Sequence, residues 1–366
     1  MILLFQLIII INLIKKTYNV IGLMSGTSLD GLDICYVKFN KTLEWQYEIL
    51  ISETLEYDLK MKSDLKKAIN FSSRDLDKLD NKYTFFLGEK INDFILRNRI
   101  KNLDAISSHG HTIFHKPEKR LTYQIGNLPE LSKYTRNIVV CDFRSQDVEM
   151  GGQGAPLVPI GDELLFSKYD YCINLGGFSN ISFKDNNQRV AFDICPTNIV
   201  LNYYSRSIGF DYDDRGKLAE LGELNIPLLN KLNSLEFYKK NYPKSLGYEW
   251  VTNEIIPLLS NSELGLKSIL RTFVEHIAIQ ITSALKKRNH KKGLWTGGGL
   301  YNSFLINRIS KNLNHPINYT DEKLINFKEA VIFAFLGTLR LRDEINCLSS
   351  VTGALKNHSS GKIYFP

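Results

Sequence analysis

The sequence predicts an α/β protein built from two related lobes. Two observations carry this. From Tyr18 onward, short apolar strands alternate with amphipathic helical patterns, and no Pro- or Ser-rich linker divides the chain. A glycine turn between two strands occurs near residue 26 and again near residue 176, each followed by a strand and helices. Such an echo implies a cleft between the lobes. The 366 residues allow one large or two medium domains with ample core.

The first element is VIGLMSGTSLDGLDICYVKF, Val20 to Phe39. An apolar run breaks at SGTSLDG and resumes as an alternating run from Leu32. This reads as a β-hairpin whose turn is crowded with hydroxyls, two glycines and a carboxylate. Strands are expected at 18–25, 32–39 and 45–53, and helices at 60–70 and 73–98. The second helix shows Leu76, Leu79, Tyr83, Leu87, Ile91 and Phe94 at helical spacing. LDAISSH (103–109) reads as a strand ending in a polar cluster, TYQIG and NIVVCDF as further strands, and GGQGAPLVP (151–159) as a glycine-rich loop.

The second hairpin is YCINLGGFSNISF (171–183), turning at Gly176-Gly177-Phe178-Ser179-Asn180. RVAFDIC (189–195) is another strand, and 266–288 a long helix with Ile269, Leu270, Phe273, Val274, Ile277 and Ile281 on one face. GLWTGGGLYNSFLINRI reads as a strand, a triple glycine and a helix. EAVIFAFLGTLRL reads as a closing apolar helix that opens on Glu329.

Composition narrows the function classes. Hydrophobic content of 43% and charged content of 23% are globular values. The net charge of +7 is mild, and no basic run is interleaved with aromatics, so no nucleic-acid partner is expected. Cys35, Cys141, Cys172, Cys195 and Cys347 form no CxxC pair and are odd in number, which fits a reducing, cytoplasmic setting. The leading MILLFQLIIIINLI is short beside the roughly 20 residues of a membrane span. It also lacks the charged start and cleavage site of a signal peptide. Residues 1–16 are read as an extension outside the fold, with a weak anchor or an extra strand as alternatives; no membrane partner is required.

The chain has neither a GxxxxGK[ST] P-loop nor a GxGxxG after a strand. A single Gly/Ser/Asp turn is ordinarily just a turn. Two such turns plus Gly297-Gly298-Gly299 at a strand-to-helix junction point to phosphates, because glycines permit close approach and backbone N–H groups bind anions.

Nine segments, in order, resemble the anhydro-N-acetylmuramic acid kinase family. They are MSGTSLDG (24–31), SHGHT (108–112), QIG (124–126), DFR (142–144), GGQGAPLVP (151–159), NLGGFSNIS (174–182), FDICPTN (192–198), TGGG (296–299) and SVTGA (350–354). The resemblance covers the chain from Tyr18 to its end. It implies the two-lobed, actin-like ATPase fold, a duplicated ribonuclease H-like design with ATP and Mg²⁺ in the interlobe cleft. The lobes are drawn as 17–140 with about 345–366, and as 141–344. The implied reaction opens a 1,6-anhydro sugar with water while O6 is phosphorylated. It yields N-acetylmuramic acid 6-phosphate and ADP in cell-wall recycling, and a homodimer fits the family.

Carried over residue by residue, Gly26, Thr27, Ser28, Asp30 and Gly31 would form the first phosphate loop. Gly176 and Gly177 would form the second, and Gly297, Gly298 and Gly299 the nucleotide-side turn. Asp193 matches the catalytic base, since attack by water on an anomeric carbon needs a carboxylate within reach. The usual DTGPGN reads DICPTN here, so Cys195 and Thr197 replace glycine-type positions and the loop's shape is in question. Asp193 also has a structural reading, as the N-cap of a helix at 197–207. Arg144 suits a substrate carboxylate, or pairs with Asp142. Asp30 acts through Mg²⁺-bound water or caps its turn. Glu329 matches an acidic residue near the sugar, or is a first-turn glutamate favoured by the helix dipole. His109, Gly110, Thr112 and Gln153 complete the implied sugar side.

Three readings compete. His109, His111 and His115 have spacing compatible with zinc, without a diagnostic fourth ligand. Cys195 beside Asp193 offers a thiol nucleophile but has no His nearby in sequence. The altered DICPTN loop also fits a non-catalytic sugar- or nucleotide-sensing relative.

Overall fold

A computed structural model describes residues 15–26, 29–286 and 292–366. Residues 1–14 of the 1–16 extension, and Thr27 and Ser28 of the first turn, lie outside the described residues, whereas Lys15 and Lys16 join the fold through carbonyls that accept from Arg342 Nη1 and the Lys41 N–H. Among the described residues, six strands lie before Phe166: β1 (Thr17–Ser25), β2 (Leu32–Lys41), β3 (Trp45–Leu55), β4 (Ala105–Lys116), β5 (Leu121–Ile125) and β6 (Val139–Cys141). Four follow: β7 (Tyr171–Leu175), β8 (Phe178–Asp185), β9 (Gln188–Pro196) and β10 (Gly293–Thr296). The last, β11 (Lys362–Tyr364), returns to the first group.

Two α/β units result. One comprises the described residues up to Phe166 together with Phe327–Pro366; the other is Ser167–Asn326. The sequence reading drew its boundaries at 140/141 and 344/345, and packing draws them elsewhere. The segment after β6 stays with the first sheet because its Asp147 bonds Cys347 and Thr352. The helix Glu322–Leu341 lies against β1 and β4, with the Ser107 hydroxyl donating to the Phe333 carbonyl at 2.5 Å.

The first unit's sheet runs β11-β6-β4-β1-β2-β3, with β5 on β4. β1, β2 and β3 form an antiparallel meander, and β4 lies parallel to β1. Val20, Ile21 and Leu23 are all buried, because both faces of β1 are covered. Ile21 and Leu23 join a cluster with Leu76, Leu79, Tyr83, Leu87, Ile91 and Phe94 of the helix Ser73–Arg97. On the other face, Gly22 admits the helix Glu322–Leu341: a Cβ there would lie 2.1 Å from the Ala330 carbonyl oxygen and 2.8 Å from Ala334 Cβ. Gly22→Ala should therefore lower stability by about 1–3 kcal/mol. A melting temperature within a degree of wild type would contradict that contact.

The second unit repeats the plan. Its sheet runs β10-β7-β8-β9, an antiparallel meander with β10 parallel to β7. The helix Leu266–Lys286 buries Ile269, Leu270, Phe273, Val274, Ile277 and Ile281. That is the face its periodicity predicts. The fold class is thus α/β with a duplicated meander-plus-crossover unit. Among the described residues no helix is long and apolar enough to cross a membrane.

Candidate active site

In the first unit, the Gly26 carbonyl accepts the Leu29 N–H at 3.2 Å across the β1–β2 turn. Asp30 is exposed beside it. Behind the turn, the Ser25 hydroxyl lies 2.7 Å from His111 Nδ1 and 2.7 Å from the Tyr57 hydroxyl, which continues to Tyr83 at 2.8 Å. Burial pushes His111 down to about 4, so the ring is neutral at pH 7.

Of the residues of the implied sugar side, His109 holds Arg144 directly. Arg144 Nε and Nη2 donate to His109 Nε2 at 3.1 and 2.8 Å, and Arg144 Nη1 donates to the Gly154 carbonyl at 2.6 Å. His109 Nδ1 lies 2.9 Å from the Gly110 carbonyl. A carbonyl only accepts and a guanidinium only donates, so His109 is the neutral Nδ1–H tautomer. Burial, followed by the Arg144 charge, holds it well below the usual histidine range. Both ring nitrogens are used, and the ring packs on Phe333 with centroids 4.6 Å apart. His109 therefore positions Arg144.

Of the five N–H groups on a guanidinium, three are used here, leaving two that face no partner among the described residues. Burial lowers Arg144 to about 10, and the Glu329 charge opposes that. Arg144 stays cationic at neutral pH. Glu329, half-buried, is raised by burial, against the pull of Lys328 and Arg144 and with the push of Asp33. The expectation that Glu329 opens its helix is corrected: the helix begins at Glu322, because KLINFK continues the helical pattern. Its N-terminal dipole does not account for Glu329. Gln153 is exposed, and its backbone N–H donates to the Thr352 carbonyl at 2.8 Å. Thr112 is half-buried further along β4, opposite Gln124.

The second unit brings the other two glycine turns together. Gly297 has φ 92°, and a Cβ on it would lie 2.5 Å from Asn174 Oδ1 and 2.8 Å from the Leu175 carbonyl carbon. Asn198 Nδ2 donates to the Leu175 carbonyl at 3.1 Å. The Gly177 carbonyl accepts the Thr197 N–H at 2.8 Å, so the second turn also caps the helix Asn198–Arg206. Gly298 faces open space, with no heavy atom of the described residues within 4 Å of a Cβ position, which leaves its backbone approachable by phosphates. The triple glycine opens a short turn, Gly298–Tyr301, and Asn302 caps the helix Ser303–Leu313 that follows.

Asp193 lies on β9 opposite Asn180, and a bulge beside it leaves Ile194 without a cross-strand partner in the register. Asp193 Oδ2 accepts the Leu246 N–H at 2.8 Å. This replaces the helix-capping alternative, since the helix Asn198–Arg206 starts at Thr197 with no side-chain cap. Burial raises Asp193 above the usual carboxylate range, partly offset by that N–H. The DICPTN loop closes without its glycines. The Thr197 hydroxyl bonds Ser179, and Cys195 is buried in the core with its thiol pushed up to about 12, which makes it a poor nucleophile.

Nor do the three histidines converge on a metal. His109 is held by Arg144, His111 by Ser25 and His115 by Thr122. Sequence reasoning missed Asp33, whose Oδ1 accepts the Thr54 hydroxyl at 2.6 Å and whose carboxyl is raised by burial. A lone carboxylate within an apolar strand was the available signal.

The anhydro-N-acetylmuramic acid kinase family model matches residues 18–366. The chain belongs to this family. It is 31% identical to the anhydro-N-acetylmuramic acid kinase of Sulfurimonas denitrificans, over 94% of this chain and 98% of that protein. It is 32% identical to that of Haemophilus influenzae, over 97% and 99%. Among solved structures it is similar to component A of (R)-2-hydroxyglutaryl-CoA dehydratase from Acidaminococcus fermentans. There the identity is 11% and the TM-score 0.46, over 88% of this chain and 99% of that one. Family membership makes the chain a kinase that acts on a sugar with ATP.

Proposed function

We propose that this kinase opens 1,6-anhydro-N-acetylmuramic acid with water and phosphorylates O6, with Asp193 as general base. The observation that supports this most is the state of Asp193. Its carboxylate is half-buried, and Oδ1 accepts no hydrogen bond from the described residues while Oδ2 is held by Leu246. Such a carboxylate is oriented and still able to take a proton. A water proton passes to Asp193 as the water oxygen bonds the anomeric carbon. The electron pair of the broken bond goes to O6, which bonds the γ-phosphorus as ADP leaves.

The glycine turns supply the phosphate contacts: Gly26, Thr27, Ser28 and Gly31, then Gly176 and Gly177, then Gly297 to Gly299. Mg²⁺ would spread the phosphate charge. Exposed Asp30 is the carboxylate beside the first turn that fits such an ion, which takes one or two carboxylates and keeps several waters. Arg144 offers its two remaining N–H groups to the lactyl carboxylate of the sugar, while His109 and Gly154 hold it in place. Glu329, Gln153, Gly110 and Thr112 complete the sugar side. The cytoplasm, where ATP is available, suits a chain whose five cysteines are all buried.

The test is to incubate the purified protein with Mg-ATP and 1,6-anhydro-N-acetylmuramic acid and read the product by mass spectrometry. A phosphorylated and hydrated sugar is expected. ATP binding without product would instead favour a sugar- or nucleotide-sensing role.

A further inference from the structure

We propose that Asp147, Cys347 and His358 form a binding site for a borderline-soft divalent cation of the zinc class. Each of the three offers one ligand atom, and these atoms lie within 4.8 Å of one another. The Cys347 thiol donates to Oδ1 at 3.0 Å, and Nε2 lies 3.6 Å from the same oxygen. The three residues are 0%, 1% and 6% exposed.

His358 Nε2 is the decisive atom. His358 Nδ1 lies 3.1 Å from the Lys356 carbonyl, so Nδ1 carries a proton, and in the neutral ring Nε2 is the lone-pair nitrogen. Nε2 is buried and has no hydrogen-bond partner among the described residues. A distance of 3.6 Å to Asp147 is beyond hydrogen-bond length. A buried imidazole nitrogen without a donor is costly, and a metal ion would satisfy it. The bond from the other ring nitrogen to a backbone carbonyl is the usual support of a metal-binding histidine.

Asp147 is supported in the same way. Its Oδ2 accepts the Gly154 N–H and its Oδ1 accepts the Thr352 hydroxyl, both at 2.7 Å. Every one of these donors is neutral, and the nearby Arg144 guanidinium binds His109 and the Gly154 carbonyl instead. A cation would compensate the buried carboxylate. The nitrogen, sulfur and oxygen donor set suits zinc-class ions, whereas magnesium and calcium take oxygen ligands. Three protein ligands leave a fourth position for water. Binding would replace the Cys347 thiol proton, which leaves to solvent.

The site would tie two segments together. The Gly154 carbonyl holds Arg144, and the Gly154 N–H is held by Asp147, so an ion there would brace the loop that supports Arg144. This inference does not rest on the proposed reaction.

The test uses the untagged full chain, stripped with a chelator and titrated with Co²⁺. About one cobalt per chain is expected, with a thiolate-to-cobalt charge-transfer band that Cys347→Ser abolishes and His358→Gln weakens. Because either variant could disturb the C-terminal segment, X-ray absorption on zinc-loaded wild type gives a second readout. It should show one sulfur at about 2.3 Å and nitrogen or oxygen at about 2.0–2.1 Å. Absence of the charge-transfer band, its survival in Cys347→Ser, or a zinc shell without sulfur would each overturn the proposal.

Discussion

Asp193→Asn should lower kcat by about 10³-fold while leaving the fold intact, the size expected for losing a general base. Asn keeps a side-chain oxygen to accept the Leu246 N–H, so the β9 bulge has no reason to change. The pH profile gives a second handle. Burial raises the Asp193 carboxyl, and catalysis needs it ionised. The acid limb of wild-type kcat/KM should therefore lie above the ordinary aspartate value of about 3.9.

Stability moves in the opposite sense. A carboxyl whose folded pKa is raised contributes stability that is present at low pH and lost as pH rises through the folded value. Asp193→Asn removes that loss, so at pH 7 the variant should melt at or above wild type. Activity within a few-fold of wild type would remove Asp193 from the base role. A variant that melts well below wild type would point to a structural role instead.

Arg144→Ala should lower kcat/KM for the carboxylated sugar by roughly 10²-fold. Two charge-assisted hydrogen bonds of about 1.5 kcal/mol each correspond to that factor. The loss should be selective. Wild type should discriminate against 1,6-anhydro-N-acetylglucosamine, which lacks the lactyl carboxylate, and Arg144→Ala should discriminate far less. Arg144→Lys should recover only part, because an ammonium cannot reproduce the fork that meets both His109 and Gly154. Equal discrimination by wild type and Arg144→Ala would mean that Arg144 serves packing alone. Its charge also opposes the upward push on Glu329, so Arg144→Ala should raise the Glu329 carboxyl further.

Local pattern made much of this protein legible. The strand runs, the apolar face of Leu266–Lys286 and the two glycine hairpins are properties of neighbouring residues, and periodicity reports them directly. The repeated meander was visible because each unit repeats the same order of turns along the chain. Arg144 and Asp193 stood out as residue types suited to carboxylate binding and proton removal. Their candidacy as site residues, like that of the glycine turns, came from motif resemblance.

Pairings distant in sequence were not legible. The apolar run EAVIFAFLG drew attention to Glu329 as a helix start, although KLINFK carries the helical pattern back to Glu322. The His109 tautomer depends on Arg144, which lies 35 residues away. The unit boundary after Phe166 depends on Asp147 meeting Cys347 across 200 residues of chain. Cys347 and His358 carried no motif, and each alone was an ordinary buried residue. Their chemistry arises from which buried groups share one space and which donors remain to satisfy them. Long-range packing sets both, and no local periodicity encodes them.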